Sequence, residues 1–183
     1  MKKLLLLLLA VVPAWAAGFF DDFDGDRLGA HWSIGSPKGA WYYSVHDSLL
    51  DVHGFGAYFP NQWIYARVGA FEDFDLRARV GWIQADSPGQ SLCVWLLDQS
   101  REILTDMCYR LERLDGRPIT TISASVAGGP RVEMPGPADG FHDFRISREA
   151  NQFRAYFDGR NILQGSGTSA DARYVSLFFR GTP

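Results

Sequence analysis

At 183 residues, 46% hydrophobic and 21% charged, the chain has the composition of an ordinary globular domain rather than a disordered or fibrous one. Its formal charge of −3 sets 18 Lys and Arg against 21 Asp and Glu with no basic run, which argues against a nucleic-acid partner. Two cysteines are too few for a disulfide-dense miniprotein, and the four histidines form no pair at metal-ligand spacing.

Lys2 and Lys3 precede the apolar run 4–12, and Ala14, Trp15 and Ala16 supply a small-residue cleavage site. This is the pattern of a secretory signal peptide over residues 1–16, with 17–183 as a single domain. A membrane anchor needs about 20 apolar residues, and neither this run nor any later one approaches that. The expectation is a secreted or periplasmic protein with no membrane span. Removing two lysines would take the net charge from −3 to −5. A domain of this size buries roughly 70% of the surface its unfolded chain exposes.

After the leader, Phe19 and Phe20 open a short predicted strand that runs into the acidic turn Asp21, Asp22, Phe23, Asp24, Gly25, Asp26. The four aspartates could offer oxygens to a structural calcium ion, but they do not follow an EF-hand loop. Aspartates favouring a turn at Gly25 is the simpler reading, and no cofactor is expected. Strands are predicted over 41–45 and 48–52, joined at His46 and Asp47, then a Gly/Pro-punctuated loop over 54–61 and a strand over 63–67. Phe74, Leu76, Ala78, Val80 and Trp82 then alternate with Asp75, Arg77, Arg79 and Gly81, the cleanest period-two run in the chain.

Residues 91–112, SLCVWLLDQSREILTDMCYRLE, organise the rest. They read as two long strands folded about Asp98, Gln99, Ser100 and Arg101. Pairing them there sets Leu92, Val94 and Leu96 opposite Tyr109, Met107 and Thr105 on one mostly apolar face. The other face carries Cys93, Trp95 and Leu97 opposite Cys108, Asp106 and Leu104, and continues to Arg110 and Glu112. The same register places Cys93 across from Cys108. In an exported chain one disulfide is the simplest outcome, contributing about 3 kcal/mol through loop closure. Two free thiols or a metal site would leave the pair without completing ligands.

Ile122, Ala124 and Val126 alternate with Thr121, Ser123 and Ser125 in a further strand, and 128–140 reads as loop. Strands follow over 141–148, 152–157 and 174–179, with a turn at Asp158 and Gly159. No window shows helical three-and-four spacing. The chain therefore reads as all-β, roughly ten strands in a two-sheet antiparallel β-sandwich or jelly roll.

The opening FFDDFDG with its following Trp, then DFDLRARVGW, then GFHDFRISREANQFRAYFDGRNI, resemble the concanavalin A-like lectin/glucanase superfamily. Phe141 stands where Trp is commoner. The resemblance implies a jelly roll whose concave sheet serves sugar binding in lectin-like and laminin G-like members and catalysis in glycanases and lyases. It also implies a final strand returning beside the N-terminal one. No such run follows 174–179 here, so either the sandwich is incomplete, with an open edge beside residues 19–23, or the chain is a fragment.

Laminarinase-like members carry a Glu-x-Asp-x-x-Glu run on a concave-sheet strand. The strand in that place here spans residues 104–112, with Asp106, Cys108, Arg110 and Glu112 at groove-facing positions. Asp106 and Glu112 would lie about 20 Å apart, and Glu102 and Asp106 about 14 Å, by the rise of a strand. Retaining hydrolysis needs roughly 5 Å. A polysaccharide hydrolase or lyase therefore requires acid and base on different strands, with Tyr42, Tyr43, His46 and His53 as available groups. Sugar binding asks for less: a ring to stack on and a few fixed polar partners. The expected site is Trp95 with Arg77, Arg79, Asp106 and Arg110, on strands read as neighbours, binding an extracellular or cell-envelope polysaccharide. Thr121 and Ser123 lie on another candidate strand of that surface. Arginines there would favour an acidic glycan. The other tryptophans, Trp32, Trp41, Trp63 and Trp82, read as sandwich core or rim rather than ligand platforms, with Trp41 and Trp63, near loop ends, the first that would join the binding surface. A scaffold with no sugar ligand is the remaining alternative.

Overall fold

The computed structural model describes residues 4–11, 19–35, 41–54, 62–82, 89–115, 117–138 and 140–180. Among them are fifteen strands and no helix, arranged in two antiparallel sheets. No helix long and apolar enough to cross a membrane occurs among these residues.

Sheet A contains β1 (Leu4–Val11), β2 (Phe19–Asp21), β4 (Trp41–His46), β5 (Leu49–Gly54), β7 (Phe74–Trp82), β12 (Gly140–Glu149), β13 (Gln152–Phe157) and β14 (Arg160–Ser166). Its order is β14-β13-β12-β7-β1-β5-β4, with β2 also paired to β1. Sheet B contains β3 (Trp32–Ile34), β6 (Gln62–Phe71), β8 (Gln90–Leu97), β9 (Ile103–Leu114), β10 (Arg117–Val126), β11 (Arg131–Pro135) and β15 (Ala172–Arg180). Its order is β11-β10-β9-β8-β15-β6-β3.

The period-two runs explain the sandwich. Leu76, Ala78 and Val80 of β7 and Phe144 and Ile146 of β12 turn inward from sheet A. They meet Leu92, Val94 and Leu96 of β8, Met107 and Tyr109 of β9, Ile122 and Ala124 of β10, and Val175, Leu177 and Phe179 of β15. All these residues are at most 4% exposed and form one core cluster. Alternation thus assigns each strand a core face and an outer face.

The β8–β9 register is the expected one from Leu92 opposite Tyr109 to Leu96 opposite Thr105, and Cys93 and Cys108 are disulfide-bonded across it. It slips only at the end, where a bulge sets Leu97 opposite Ile103 instead of Leu104. Four strands lie outside the sequence expectation: β1, the three-residue β3 at one end of sheet B, β11 and β14. β11 occupies the stretch read as loop, where Val132 and Met134 alternate with Arg131, Glu133 and a terminal Pro135 that an edge strand tolerates. β14 follows the tight turn at Asp158 and Gly159, both at positive φ, and pairs back on β13. Both are sheet edges, where polar residues on one face dilute the pattern.

At the N-terminus, Leu4–Val11 from the expected leader lies inside sheet A. It pairs with β7 along its length, with β5 at Leu4, Leu5 and Leu6, and with β2 at Leu9, Ala10 and Val11. The edge expected to be open beside Phe19 is therefore occupied by this segment.

Candidate functional site

Sheet B presents its outer face in register rows. One row runs Tyr65, Ser176, Trp95, Asp106, Ser125 and Arg131. The next runs Trp63, Phe178, Cys93, Cys108, Ser123 and Glu133, and a third holds Ser91, Arg110 and Thr121. These are the positions that alternation excludes from the core.

Trp95 lies partly buried in the middle of this face, its ring stacked on Phe178 at 4.3 Å between centroids and 16° between planes. Trp63, on the strand beyond Phe178, keeps 37% of its surface exposed. Tyr65 and Tyr174 meet edge to face at 6.2 Å, and Arg101, reaching over from the β8–β9 turn, lies 4.8 Å and 5.6 Å from their ring centres. The result is an aromatic flank beside a polar half.

In the polar half, Ser125 donates a close hydrogen bond to Asp106. The Cys108 sulfur approaches Asp106 Oδ2 at 3.6 Å, but a disulfide sulfur has no proton to donate. Arg110 is tied to Glu133 at 3.6 Å, and Arg131 reaches the same carboxylate at 3.5 Å. Among the described residues, three buried side-chain polar atoms have no hydrogen-bond partner: Trp95 Nε1, Thr121 Oγ1 and Ser123 Oγ. All three belong to this face. An unpaired buried donor costs roughly 1–3 kcal/mol, so three on one surface mark unmet bonding capacity.

The five expected site residues divide between the sheets. Trp95, Asp106 and Arg110 share the outer face of sheet B, with Thr121 and Ser123 beside them as anticipated. Arg77 and Arg79 do not join them. Their strand β7 was expected next to the central hairpin, but it pairs with β1 and β12 in sheet A, on the far side of the core. Both sheets show the same alternation, and alternation alone does not say which strands are neighbours.

On sheet A the arginines border a groove of about 500 Å³ with Asp143, Arg145 and Tyr156. Arg145 binds Asp75 through Nε at 2.8 Å and Nη2 at 3.1 Å, and Arg77 adds a contact at 3.0 Å. Burial pushes the Asp75 carboxyl up, but the hydrogen bonds and charges of Arg145 and Arg77 outweigh it and hold the group below its ordinary range. Arg79 lies 5.7 Å from the Phe141 ring centre.

The remaining candidates sort as follows. Trp32 is core, 6% exposed, and its indole donates to Asp21 Oδ2 at 2.6 Å, which His31 also contacts at 2.8 Å. Asp21 and Asp22 also accept the backbone N–H groups of Phe23 and Asp24, as turn-forming aspartates do. The side chains of Trp41, Tyr42, Tyr43, His46, His53 and Trp82 lie outside the described residues. Among the described residues, no three His, Cys, Asp or Glu side chains converge as a metal site. Tyr65, Tyr174, Phe178 and Arg101 were missed, although the alternation of Tyr174, Ser176 and Phe178 against Val175, Leu177 and Phe179 carries the signal for β15.

No protein-family model matches the sequence, and neither does any curated protein. Solved structures do match in shape. A sialidase superposes with a TM-score of 0.61 at 14% identity, over 84% of this chain and 14% of its own. The laminarinase catalytic domain from Thermotoga maritima gives 0.56 at 12% identity, over 87% of this chain and 84% of its own. The fold is the concanavalin A-like jelly roll. A third jelly roll, the GlcNAcα1-4Gal-releasing endo-β-galactosidase from Clostridium perfringens, gives 0.58 at 11% identity, over 87% of this chain and 55% of its own. This chain thus spans only a part of the sialidase and about half of the galactosidase. At these identities the likeness is one of fold.

Proposed function

We propose that the protein is an exported, non-catalytic glycan-recognition domain that binds a polysaccharide on the outer face of sheet B. The observation that carries this reading is the coincidence, on one face, of an aromatic flank with Trp95 Nε1, Thr121 Oγ1 and Ser123 Oγ left without partners. A sugar offers an apolar C–H face and several hydroxyls, the complement of that surface. Trp63 and Trp95 would take the ring face and Asp106 would bond hydroxyls directly or through water, while the buried Ser123 and Thr121 oxygens would be reached only as the side chains around them shift on binding. The disulfide favours an oxidising compartment, in line with export. The similar solved structures include a sialidase, a laminarinase and an endo-β-galactosidase, which supports a carbohydrate-related role.

Hydrolysis is the weaker reading of this face. Glu112 lies six residues along β9 from Asp106, and Glu133 lies two strands away and one step along. By strand rise and spacing these are about 20 Å and 12 Å from Asp106, beyond the roughly 5–9.5 Å of paired-carboxylate mechanisms.

The test incubates the mature chain with neutral and acidic polysaccharides, reading retention by affinity electrophoresis and release of reducing or unsaturated ends together. Retention without product, weakened by Trp95→Ala in a folded variant, is the expected result. Product formation would overturn the non-catalytic reading. Absence of both would leave the scaffold alternative.

A further inference from the structure

Sheet A is closed at its centre by a segment that the sequence marks for removal. Leu4–Val11 lies between β7 on one side and β5 and β2 on the other, antiparallel to all three. Among the described residues β2 has no other strand partner. Without β1, the sheet separates into β14-β13-β12-β7 and β5-β4, about 10 Å apart at two strand spacings. Each border then shows a row of unpaired N–H and C=O groups. Leu76, Ala78 and Val80 on one border and Leu50 and Val52 on the other, all at most 4% exposed, would be laid open. A slot one strand wide, with hydrogen-bonding walls and an apolar floor, has the shape of an extended polypeptide.

We propose that, once residues 1–16 are removed, this slot accepts an extended segment of a partner polypeptide, about eight residues long and antiparallel to β7 and β5. The walls specify its chemistry. Positions in register with the buried Leu76, Ala78 and Val80, held now by Val11, Leu9 and Leu6, require apolar residues. Positions opposite Arg77 and Arg79, held by Ala10 and Leu7, adjoin exposed cations. Arg79 has no ion pair within 4 Å among the described residues; it lies over the Phe141 ring, with Asp143 opposite it on β12. Directly opposed residues on one face of a sheet interact, so carboxylates at these two positions would be favoured. The accepted strand therefore alternates apolar with acidic residues. The leader meets the apolar requirement and lacks the acidic one, as suits an occupant that is to be replaced.

The test starts from the full chain with a protease site inserted between Ala16 and Ala17, so that it folds before it is cut. Labelled peptides of residues 2–12 are then titrated in by fluorescence anisotropy, with amide exchange read over 49–52 and 76–82. The peptide carrying Leu7→Glu and Ala10→Glu is expected to bind one to one and slow exchange at those amides, about three- to thirtyfold tighter than the unsubstituted peptide. A peptide with Leu6→Pro and Leu9→Pro, lacking ladder N–H groups, is expected not to bind. The uncut chain is expected to take up no peptide. The proposal is overturned if the cut chain takes up neither peptide, or if exported protein retains residues 1–16. It is also overturned if chain 17–183 is a stable monomer whose 76–82 amides are already protected. Protection through self-association of chain 17–183 would assign the slot to a second copy and overturn the partner assignment. None of these readouts involves sheet B or a glycan.

Discussion

The two outer faces of the sandwich use their polar residues in opposite ways. On sheet A the charged groups complete one another: Asp75 takes both Arg145 and Arg77, and Asp158 takes His142 at 2.8 Å. On sheet B short side chains and an indole are left incomplete. Of the two sheet A arginines most visible in the sequence, Arg77 is therefore paired in the fold, and the unmet hydrogen bonding lies with a serine, a threonine and a tryptophan of sheet B. Charge in a sequence shows where attraction is available. Only the folded neighbours decide whether any is left for a ligand.

The largest expected effect comes from the cation that sheet A buries outright. Arg148 follows Phe144 and Ile146 at the next inward position of β12 and is 2% exposed. It donates to the Glu72 carbonyl, to Phe71 O at 2.9 Å and to Ala170 O at 2.5 Å, with its guanidinium 5.3 Å and 5.5 Å from the Phe74 and Phe153 ring centres. Burial pushes its pKa down, and the charges of Asp73, Asp171 and Glu72 oppose that. Arg148→Met would strand those carbonyls and is expected to cost about 3–5 kcal/mol in urea unfolding while leaving glycan affinity unchanged. Lost affinity in a folded variant would break the division between a structural sheet A and a binding sheet B.

Next is the disulfide. Cys93→Ala with Cys108→Ala is expected to remove about 3 kcal/mol, read as a lower melting temperature insensitive to reductant. Because the pair lies in the row between Phe178 and Ser123, affinity should fall as well, unlike with Arg148→Met.

The comparison sharpens further at single side chains. Trp95→Ala is expected to weaken polysaccharide binding by about thirtyfold, roughly 2 kcal/mol, in titration calorimetry. Arg77→Ala with Arg79→Ala should change it by less than about threefold, since both arginines lie behind the core from the site. The reverse ranking would move the site to the groove beside Arg145 and Tyr156.

Most of the strands and the β8–β9 register were legible because period-two alternation and the cysteine pair select one pairing. The neighbours of β7 were not, because alternation describes each strand alone while sheet order arises from long-range pairing. The same limit separated Arg77 from Trp95, yet left Trp95, Asp106, Arg110, Thr121 and Ser123 together on consecutive strands. Arg148 was invisible for a different reason. An arginine at an inward position breaks the binary pattern, and only the carbonyls of Phe71, Glu72 and Ala170 around it make that tolerable.

The smallest expected effect tests how self-sufficient the sheet A face is. The Asp75 pKa is depressed in the folded protein by Arg145 and Arg77 despite burial, so its ionised form favours folding. That contribution is present above the unfolded carboxylate pKa, near 3.9, and is lost as pH falls through the lower folded value. Asp75→Asn should therefore cost under about 1 kcal/mol near neutral pH, because Arg145 and Arg77 are 41% and 61% exposed and solvent screens the pair. The gap between wild type and variant in urea unfolding should narrow as pH drops below about 4. A gap that stays constant down to about pH 2 would mean that Asp75 acts through neutral hydrogen bonding. The arginines would then be less neutralised than their geometry implies, and the sheet A groove would regain its claim on an acidic ligand.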